Sequence, residues 1–197
     1  TQQRAMAETA RGIAEWVARH IPVHPGSVAM LDVGGSHGLY SAAICRRHPR
    51  LTSDILELSS AIRAARQVAR ELGTDRFVRH LEGDIATTAL SGRYDVVFLG
   101  NLLHHLVDST AATVLSKIEA ATVPGGTIAV WDLVDTSEAS VETACFSLLF
   151  YLTSGAGCPS ESDVTALLDR AGYRDIRTVR PPKAPTHVLF TGRKRPA

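Results

Sequence analysis

The sequence is poor in cysteine, and its few cysteines have no metal-binding or disulfide spacing. Cys45, Cys145 and Cys158 are far apart in the chain and none belongs to a CxxC pair. A disulfide framework and a thiolate zinc site are therefore not expected, and we predict no metal site. Because unpaired cysteines are typical of reducing compartments, we predict a cytoplasmic location.

The sequence also lacks an excess of charge and a long apolar run. Lys and Arg number 21 against 20 for Asp and Glu, which gives a formal net charge of +1. Such a balance provides no broad attraction for nucleic acid or for an anionic membrane. No apolar run approaches the roughly 20 residues that span a bilayer. We therefore predict neither a nucleic acid nor a membrane as partner.

What is present is a regular alternation of short apolar stretches and helical stretches. With 45% apolar residues in a chain of 197, one domain with a sizeable core is expected. Val-, Ile- and Leu-rich runs separated by helices are typical of βαβ crossovers. The predicted fold class is α/β: a doubly wound, Rossmann-like, seven-stranded and mostly parallel sheet with a C-terminal antiparallel strand and helices on both faces.

Four local predictions can be compared directly with the structure. One amphipathic helix is predicted over 2–20, and a strand over 127–134. Ser59 or Ser60 is expected to cap a helix that stops at Gly73.

Polar residues follow the first three predicted strands, where a doubly wound sheet binds its ligands. The first strand leads into DVGGSHG (32–38), a turn in which glycines let backbone N–H groups approach a ligand. The turn fails two of the three glycines of the dinucleotide fingerprint, and no GK[ST] follows, which excludes a P-loop. Glu57 ends the second strand and can bind ribose hydroxyls, while Asp84 follows the third and can meet an adenine amino group. These residues predict a nucleoside pocket without a phosphate clamp.

Together with LLHHLVD (102–108), PGG (124–126) and AGY (171–173), these motifs resemble a known family. The sequence is identified as a class I S-adenosylmethionine-dependent methyltransferase, and it is most similar to the catalytic domain of small-molecule O-methyltransferases of the plant phenolic and bacterial polyketide type. The resemblance implies S-adenosylmethionine as cofactor, S-adenosylhomocysteine as product and a small-molecule acceptor. The cofactor-binding residues that it implies are Asp32, Gly34, Gly35, Gly38, Glu57, Asp84, Ile85, Gly100 and Asn101.

The same resemblance implies two catalytic residues. His104 matches the family histidine that takes the proton of the acceptor hydroxyl, and Asp132 matches an acid that orients it. A phenol titrates near 10, so a base makes its oxygen a better nucleophile. His105 and Cys158 stand where the family has two further acids, and His105 is expected to point elsewhere.

The resemblance also divides the chain. Residues 1–25 are predicted to be a helical segment packed on the core, and 26–197 the methyltransferase domain. The family has an N-terminal dimerisation domain that these residues do not include, and a form carrying it is expected to be a homodimer. Phe146, Phe150 and Tyr151 could line an acceptor pocket, but their helical spacing favours core positions, and Trp131 is expected to be buried in its strand.

Two alternatives to O-methylation are left open by the sequence. One is a biosynthetic domain that methylates carbon or nitrogen. The other is a relative that binds the cofactor but has lost methyl transfer.

Overall fold

The computed structural model describes residues 2–135, 141–182, 184 and 186–196. Thr1 and Ala197, which bound the two domain predictions, lie outside this part. Helices and strands alternate along most of it, but no helix separates the third strand from the fourth, helices follow one another at the start and before the last two strands, and the chain closes with a hairpin. Their bounds are α1 Gln2–Arg11, α2 Ala14–His20, β1 Ala29–Val33, α3 Leu39–Arg47, β2 Thr52–Glu57, α4 Ile62–Leu72, β3 Val78–Glu82, β4 Tyr94–Gly100, a 3-10 turn Leu103–His105, α5 Asp108–Ala121, β5 Thr122–Leu133, α6 Val141–Ser154, α7 Glu161–Arg170, β6 Tyr173–Val179 and β7 His187–Lys194.

The strands form one seven-stranded sheet in the order β3-β2-β1-β4-β5-β7-β6. β1 to β5 pair in parallel, whereas β7 runs antiparallel to both β5 and β6. The predicted fold class is therefore confirmed. Strand order reverses between β1 and β4, which are neighbours, and this is the place where a doubly wound sheet has its ligand crevice.

Buried side chains on both faces explain why the strands read as nearly continuous apolar runs. Along β4, Val97 and Leu99 join one apolar cluster, with α5 and α7. Val96 and Phe98 join the other, with α2 and α3. Successive side chains of a strand point to opposite faces, so each face of the sheet receives alternate residues. Trp131 of β5 is 2% exposed, as expected.

Three local predictions differ from the structure. The helix predicted over 2–20 is two helices, because the chain turns at Gly12, where glycine weakens a helix by about 0.5 to 1 kcal/mol. α4 begins after Ala61 without a side-chain cap, so the serine cap was wrong, but it stops at Gly73 in the left-handed region as predicted. β5 begins at Thr122, ahead of the predicted start, because pairing with β4 resumes across a bulge.

Helix α2 packs on the sheet through Val17, Ala18 and Ile21, which belong to the same apolar cluster as α3. Among the residues described, none of the helices combines the length and apolar character needed to cross a bilayer.

Candidate functional site

The turn after β1 has the backbone geometry that its glycines suggested. Gly34 has φ +72° and Gly38 has φ +70°, a region that L side chains rarely adopt. Gly38 is the residue immediately before α3. Between them Ser36 also has positive φ, at 48°. The chain therefore reverses within a few residues and brings the start of α3 to the end of β1.

Gly35 is required for another reason, its closeness to Asp32. A Cβ placed on Gly35 would lie 2.3 Å from the carboxyl carbon of Asp32. No real contact is that short, so only glycine lets the turn fold over this carboxyl group.

This geometry predicts a graded series of glycine substitutions. Gly35→Ala is expected to lower the free energy of unfolding by about 2 to 3 kcal/mol, because the added methyl overpacks a buried carboxyl group. Gly34→Ala has only Leu102 at 3.8 Å nearby and is expected to lose about 1 kcal/mol from backbone strain alone. Urea unfolding measures both losses.

Gly12→Ala is the matched control, since nothing lies within 4 Å of its added Cβ. We expect a change within about 0.5 kcal/mol. Equal losses at Gly12 and Gly35 would contradict the close approach of Gly35 to Asp32.

Asp32 is a buried acid with an incomplete set of partners. It is 1% exposed, and its Oδ2 accepts a hydrogen bond of 2.6 Å from the Ser41 hydroxyl. Its Oδ1 has no hydrogen-bond partner within the described residues. Burial raises the pKa of this carboxyl to about 7; the Ser41 hydrogen bond opposes the shift and the nearby charge of Glu57 adds to it.

Glu57, at the end of β2, faces the glycine-rich turn. Its Oε2 accepts the Ser36 N–H at 3.1 Å and its Oε1 accepts the Leu58 N–H at 2.9 Å. Burial raises its pKa, and these two hydrogen bonds oppose that shift. Glu57 thus stabilises the turn by accepting the Ser36 N–H.

Asp84 and Ile85 follow β3, at the same edge of the sheet as the turn after β1. The Asp84 carboxylate is exposed and accepts the Ala86 N–H at 2.8 Å. Ile85 is 8% exposed and belongs to the apolar core. Their assignment as cofactor-binding residues stays a prediction.

A cavity of about 540 Å³ lies where β1 and β4 end. This volume is within the range of about 300 to 1,000 Å³ that small-molecule sites occupy. Of the predicted site residues, it is lined by Asp32, Gly34, Gly35, Gly100, Asn101 and His104. Gly38, Glu57, Asp84, Ile85 and Asp132 do not line it.

The chain after β4 is shaped by close backbone contacts. A Cβ on Gly100 would lie 2.8 Å from the Phe98 ring. Asn101 has positive φ, at 54°, and its N–H donates to the Trp131 carbonyl oxygen at 2.8 Å. These contacts turn the chain from β4 into the 3-10 turn that carries His104.

His104 and Asp132 form the most defined polar pair of the site. His104 Nδ1 lies 2.5 Å from Asp132 Oδ1, and the two residues are 4% and 0% exposed. The carboxylate also accepts the backbone N–H groups of Leu102, Leu103 and Leu133. A carboxylate only accepts hydrogen bonds, so the nitrogen beside it must be the donor. Nδ1 therefore carries the hydrogen of the imidazole, and the lone pair is on Nε2.

Aromatic rings surround this imidazole, and two expectations about them were wrong. The Phe150 ring stacks on His104 with centroids 3.9 Å apart. Phe150 and the 39%-exposed Phe146 line the cavity, and Tyr151 is 66% exposed, so none is a core residue. His105 does not point elsewhere: its ring lies 4.2 Å from that of His104, and it lines the same cavity.

Helix α1 contributes residues that the sequence did not identify. Met6 and Thr9 line the cavity, and the His37 ring is hydrogen-bonded to the Met6 backbone. His37 Nδ1 also accepts the Leu39 N–H at 3.2 Å. Burial lowers the pKa of His37 to about 4, and the hydrogen bond to Met6 opposes this shift. The His that follows Ser36 in the turn was the available signal, but only the fold places α1 over it.

Cys158 lies away from this centre. It is half-buried and lines a separate recess with Tyr151 and Asp163. No group of three or more His, Cys, Asp and Glu residues in the described part of the chain could hold a metal ion.

The chain is similar to known methyltransferases. Residues 2–174 match a family model described as an O-methyltransferase domain. The chain is 30% identical over 153 residues to the tetracenomycin polyketide synthesis 8-O-methyl transferase TcmO of Streptomyces glaucescens, a match that covers 76% of this chain and 45% of that protein. It is 28% identical over 163 residues to the N,N-dimethyltransferase OxyT of Streptomyces rimosus, covering 82% of this chain and 47% of that protein.

A solved methyltransferase structure has the same fold. The mitomycin 7-O-methyltransferase MmcR is 26% identical and superposes with a TM-score of 0.84, covering 97% of this chain and 56% of that one. The chain therefore spans about half the length of the curated relatives it matches.

Proposed function

Because the chain belongs to the O-methyltransferase domain family, whose members use S-adenosylmethionine, we propose that it transfers the methyl group of this cofactor to a hydroxyl of a small aromatic or polyketide-like molecule. The observation that carries the proposal is the His104–Asp132 pair, whose imidazole lines the same cavity as the glycine-rich turn.

The cavity fits a positively charged nucleoside better than a phosphate-bearing one. No Lys or Arg occurs among its described lining residues, whereas Asp32 is one of them, and one oxygen of its buried carboxyl group has no hydrogen-bond partner within the described residues. The buried Ser36 hydroxyl also has no partner within the described residues. A dinucleotide or triphosphate would need cations or a phosphate clamp here. These features support S-adenosylmethionine, and the residues proposed to hold it are those of the turn after β1 and the segment after β4.

The chain's own residues supply acid–base chemistry and positioning. When bound, S-adenosylmethionine supplies a methyl group activated by its sulfonium. His104 Nε2 accepts the proton of the acceptor hydroxyl, which makes the oxygen a better nucleophile. Asp132 holds Nδ1–H and so keeps the lone pair on Nε2. The Phe150 ring covers one face of the imidazole and keeps it from rotating.

Methylation of nitrogen is the second candidate, because the relative OxyT is named an N,N-dimethyltransferase. The same imidazole can take a proton from an ammonium acceptor. Turnover of phenols against that of matched anilines and alkylamines distinguishes the two. The acceptor itself, the predicted homodimer and the cytoplasmic location stay predictions.

Cofactor binding is the first test. Calorimetry is expected to show S-adenosylmethionine and S-adenosylhomocysteine binding at least about tenfold more tightly than NAD or ATP, because the cavity lacks cations for phosphates. Glu57→Gln is expected to weaken both by about 10- to 100-fold, since it removes the charged acceptor of the Ser36 N–H and so disturbs the turn proposed to hold the cofactor.

The matched control is Glu82→Gln, the neighbour of Glu57 across β2 and β3, which is exposed. It is expected to leave both affinities unchanged. Equal binding of ATP, or equal losses in the two variants, would contradict the proposed cofactor site.

A further inference from the structure

We propose that Asp32 senses the charge of the bound cofactor: its carboxyl group holds a proton in the free site and releases it when the cationic S-adenosylmethionine binds. The product S-adenosylhomocysteine, whose sulfur is neutral, leaves the proton in place. This inference rests on the proposed function, and it assigns to Asp32 a role in distinguishing substrate cofactor from product.

The first support is the incomplete solvation of this carboxyl group. Asp32 is 1% exposed, one oxygen is bonded to the Ser41 hydroxyl, and the other has no partner among the described residues. Gly35 lies directly against the carboxyl group, and both residues are on the cavity wall. A buried carboxylate with so few partners is costly, so the neutral form is favoured until a cation arrives.

The second support is the absence of a cation around it in the described chain. The titratable groups that interact with Asp32 from the neighbouring elements are Tyr40 and Cys45 of α3 and Glu57 of β2, and His37 lies in the adjoining turn. Arg46 and Arg47, also on α3, are exposed at its last turn. Burial raises the pKa values of Tyr40 and Cys45, so both are neutral near pH 7.

His37 and Glu57 add no positive charge either. With its pKa lowered to about 4, His37 is neutral at pH 7, and Glu57 contributes only an acid. The β4 residue that pairs with Asp32 is Phe98, and the other titratable side chains on the cavity wall are His104, His105 and His187.

The proton balance follows from these contacts. In the free site the Asp32 carboxyl group has a pKa of about 7; when the sulfonium binds it becomes a carboxylate and gives its proton to solvent, about half a proton per site at pH 7. Once the methyl group has left, the sulfur is neutral and the carboxylate has lost its counter-charge. It then takes up a proton, which weakens the hold on the product relative to the substrate.

Calorimetry in two buffers of different ionisation enthalpy tests this directly. At pH 7, S-adenosylmethionine is expected to release about half a proton more than S-adenosylhomocysteine. Between about pH 5.5 and 7 its affinity is expected to rise by up to tenfold per pH unit and then to level off, while that of S-adenosylhomocysteine changes much less. Because the two ligands share their amino and carboxylate groups, the difference reports the sulfonium charge.

Two variants test whether Asp32 is the group that releases the proton. Asp32→Asn, which has the same shape, is expected to abolish the difference in proton release and to bring the two affinities closer together. Ser41→Ala removes the hydrogen bond that lowers the pKa of Asp32 and is expected to move the midpoint to higher pH. Thermal unfolding checks that each variant is folded, and Ser41→Ala keeps the test open if Asp32→Asn is not.

The outcomes separate this inference from the proposed function. If neither ligand binds the unaltered protein, the proposed function is wrong. If both bind and release equal numbers of protons, or if Asp32→Asn keeps the difference, only the role of Asp32 is wrong.

Discussion

Replacing His104 by glutamine is expected to lower kcat for methyl transfer by about 100- to 10,000-fold, the usual contribution of a general base. Affinity for S-adenosylmethionine is expected to stay within about threefold, because the ring contacts Asp132 and Phe150, which are not among the residues proposed to hold the cofactor. Single-turnover methyl transfer and calorimetry measure the two quantities separately.

His105→Gln is the matched control for this substitution. The His105 ring lines the same cavity and contacts both His104 and Phe150, but it has no hydrogen bond to a carboxylate of the described residues. Partial desolvation lowers its pKa, and the neighbouring His104 adds to that shift. We expect kcat to fall less than tenfold, with any loss appearing in KM for the acceptor.

Two results would contradict the assignment of His104 as base. One is equal turnover of His104→Gln and the unaltered protein. The other is a chain that binds both cofactor forms yet methylates no phenol, amine or activated carbon acceptor. The second result would favour the remaining alternative, a relative that keeps cofactor binding and has lost methyl transfer.

Much of the fold could be predicted because its signals are local. β1 and β4 are short apolar runs followed by glycine, and both are buried on two faces of a parallel sheet. Gly73 marked the end of α4 because a left-handed residue there needs no partner elsewhere in the chain. The break at Gly12 was missed because the apolar pattern continues through it, and an isolated glycine inside a helical pattern does not by itself mark a break.

The site was predictable where the backbone itself forms it. Gly34 and Gly35 were identified from the turn motif, and the structure supplies the reason for each. Phe150 could not be assigned from spacing, because a helical period does not show which face is covered. The direction of His105 likewise depends on how the 3-10 turn meets α6, which is a tertiary contact.

Asp132→Asn is expected to have a large effect on both stability and catalysis. The unaltered carboxylate is fully buried and accepts three backbone N–H groups and His104 Nδ1–H. An amide nitrogen in this place sets a donor against donors, so we expect the free energy of unfolding to fall by about 2 to 4 kcal/mol. If the amide oxygen instead faces the Leu102 and Leu103 N–H groups, its NH2 faces the Leu133 N–H and His104 and favours the tautomer with hydrogen on Nε2.

That tautomer cannot take the acceptor proton, so kcat is expected to fall by about 100- to 10,000-fold in the folded fraction. Asp135→Asn is the matched control, because Asp135 follows the same strand and is exposed; its stability is expected to change by less than about 0.5 kcal/mol. Urea unfolding and kcat below the unfolding transition separate the two losses. Asp132 positions His104 only if kcat falls while S-adenosylmethionine still binds; a loss of stability with full kcat would leave it as a support for the loop alone.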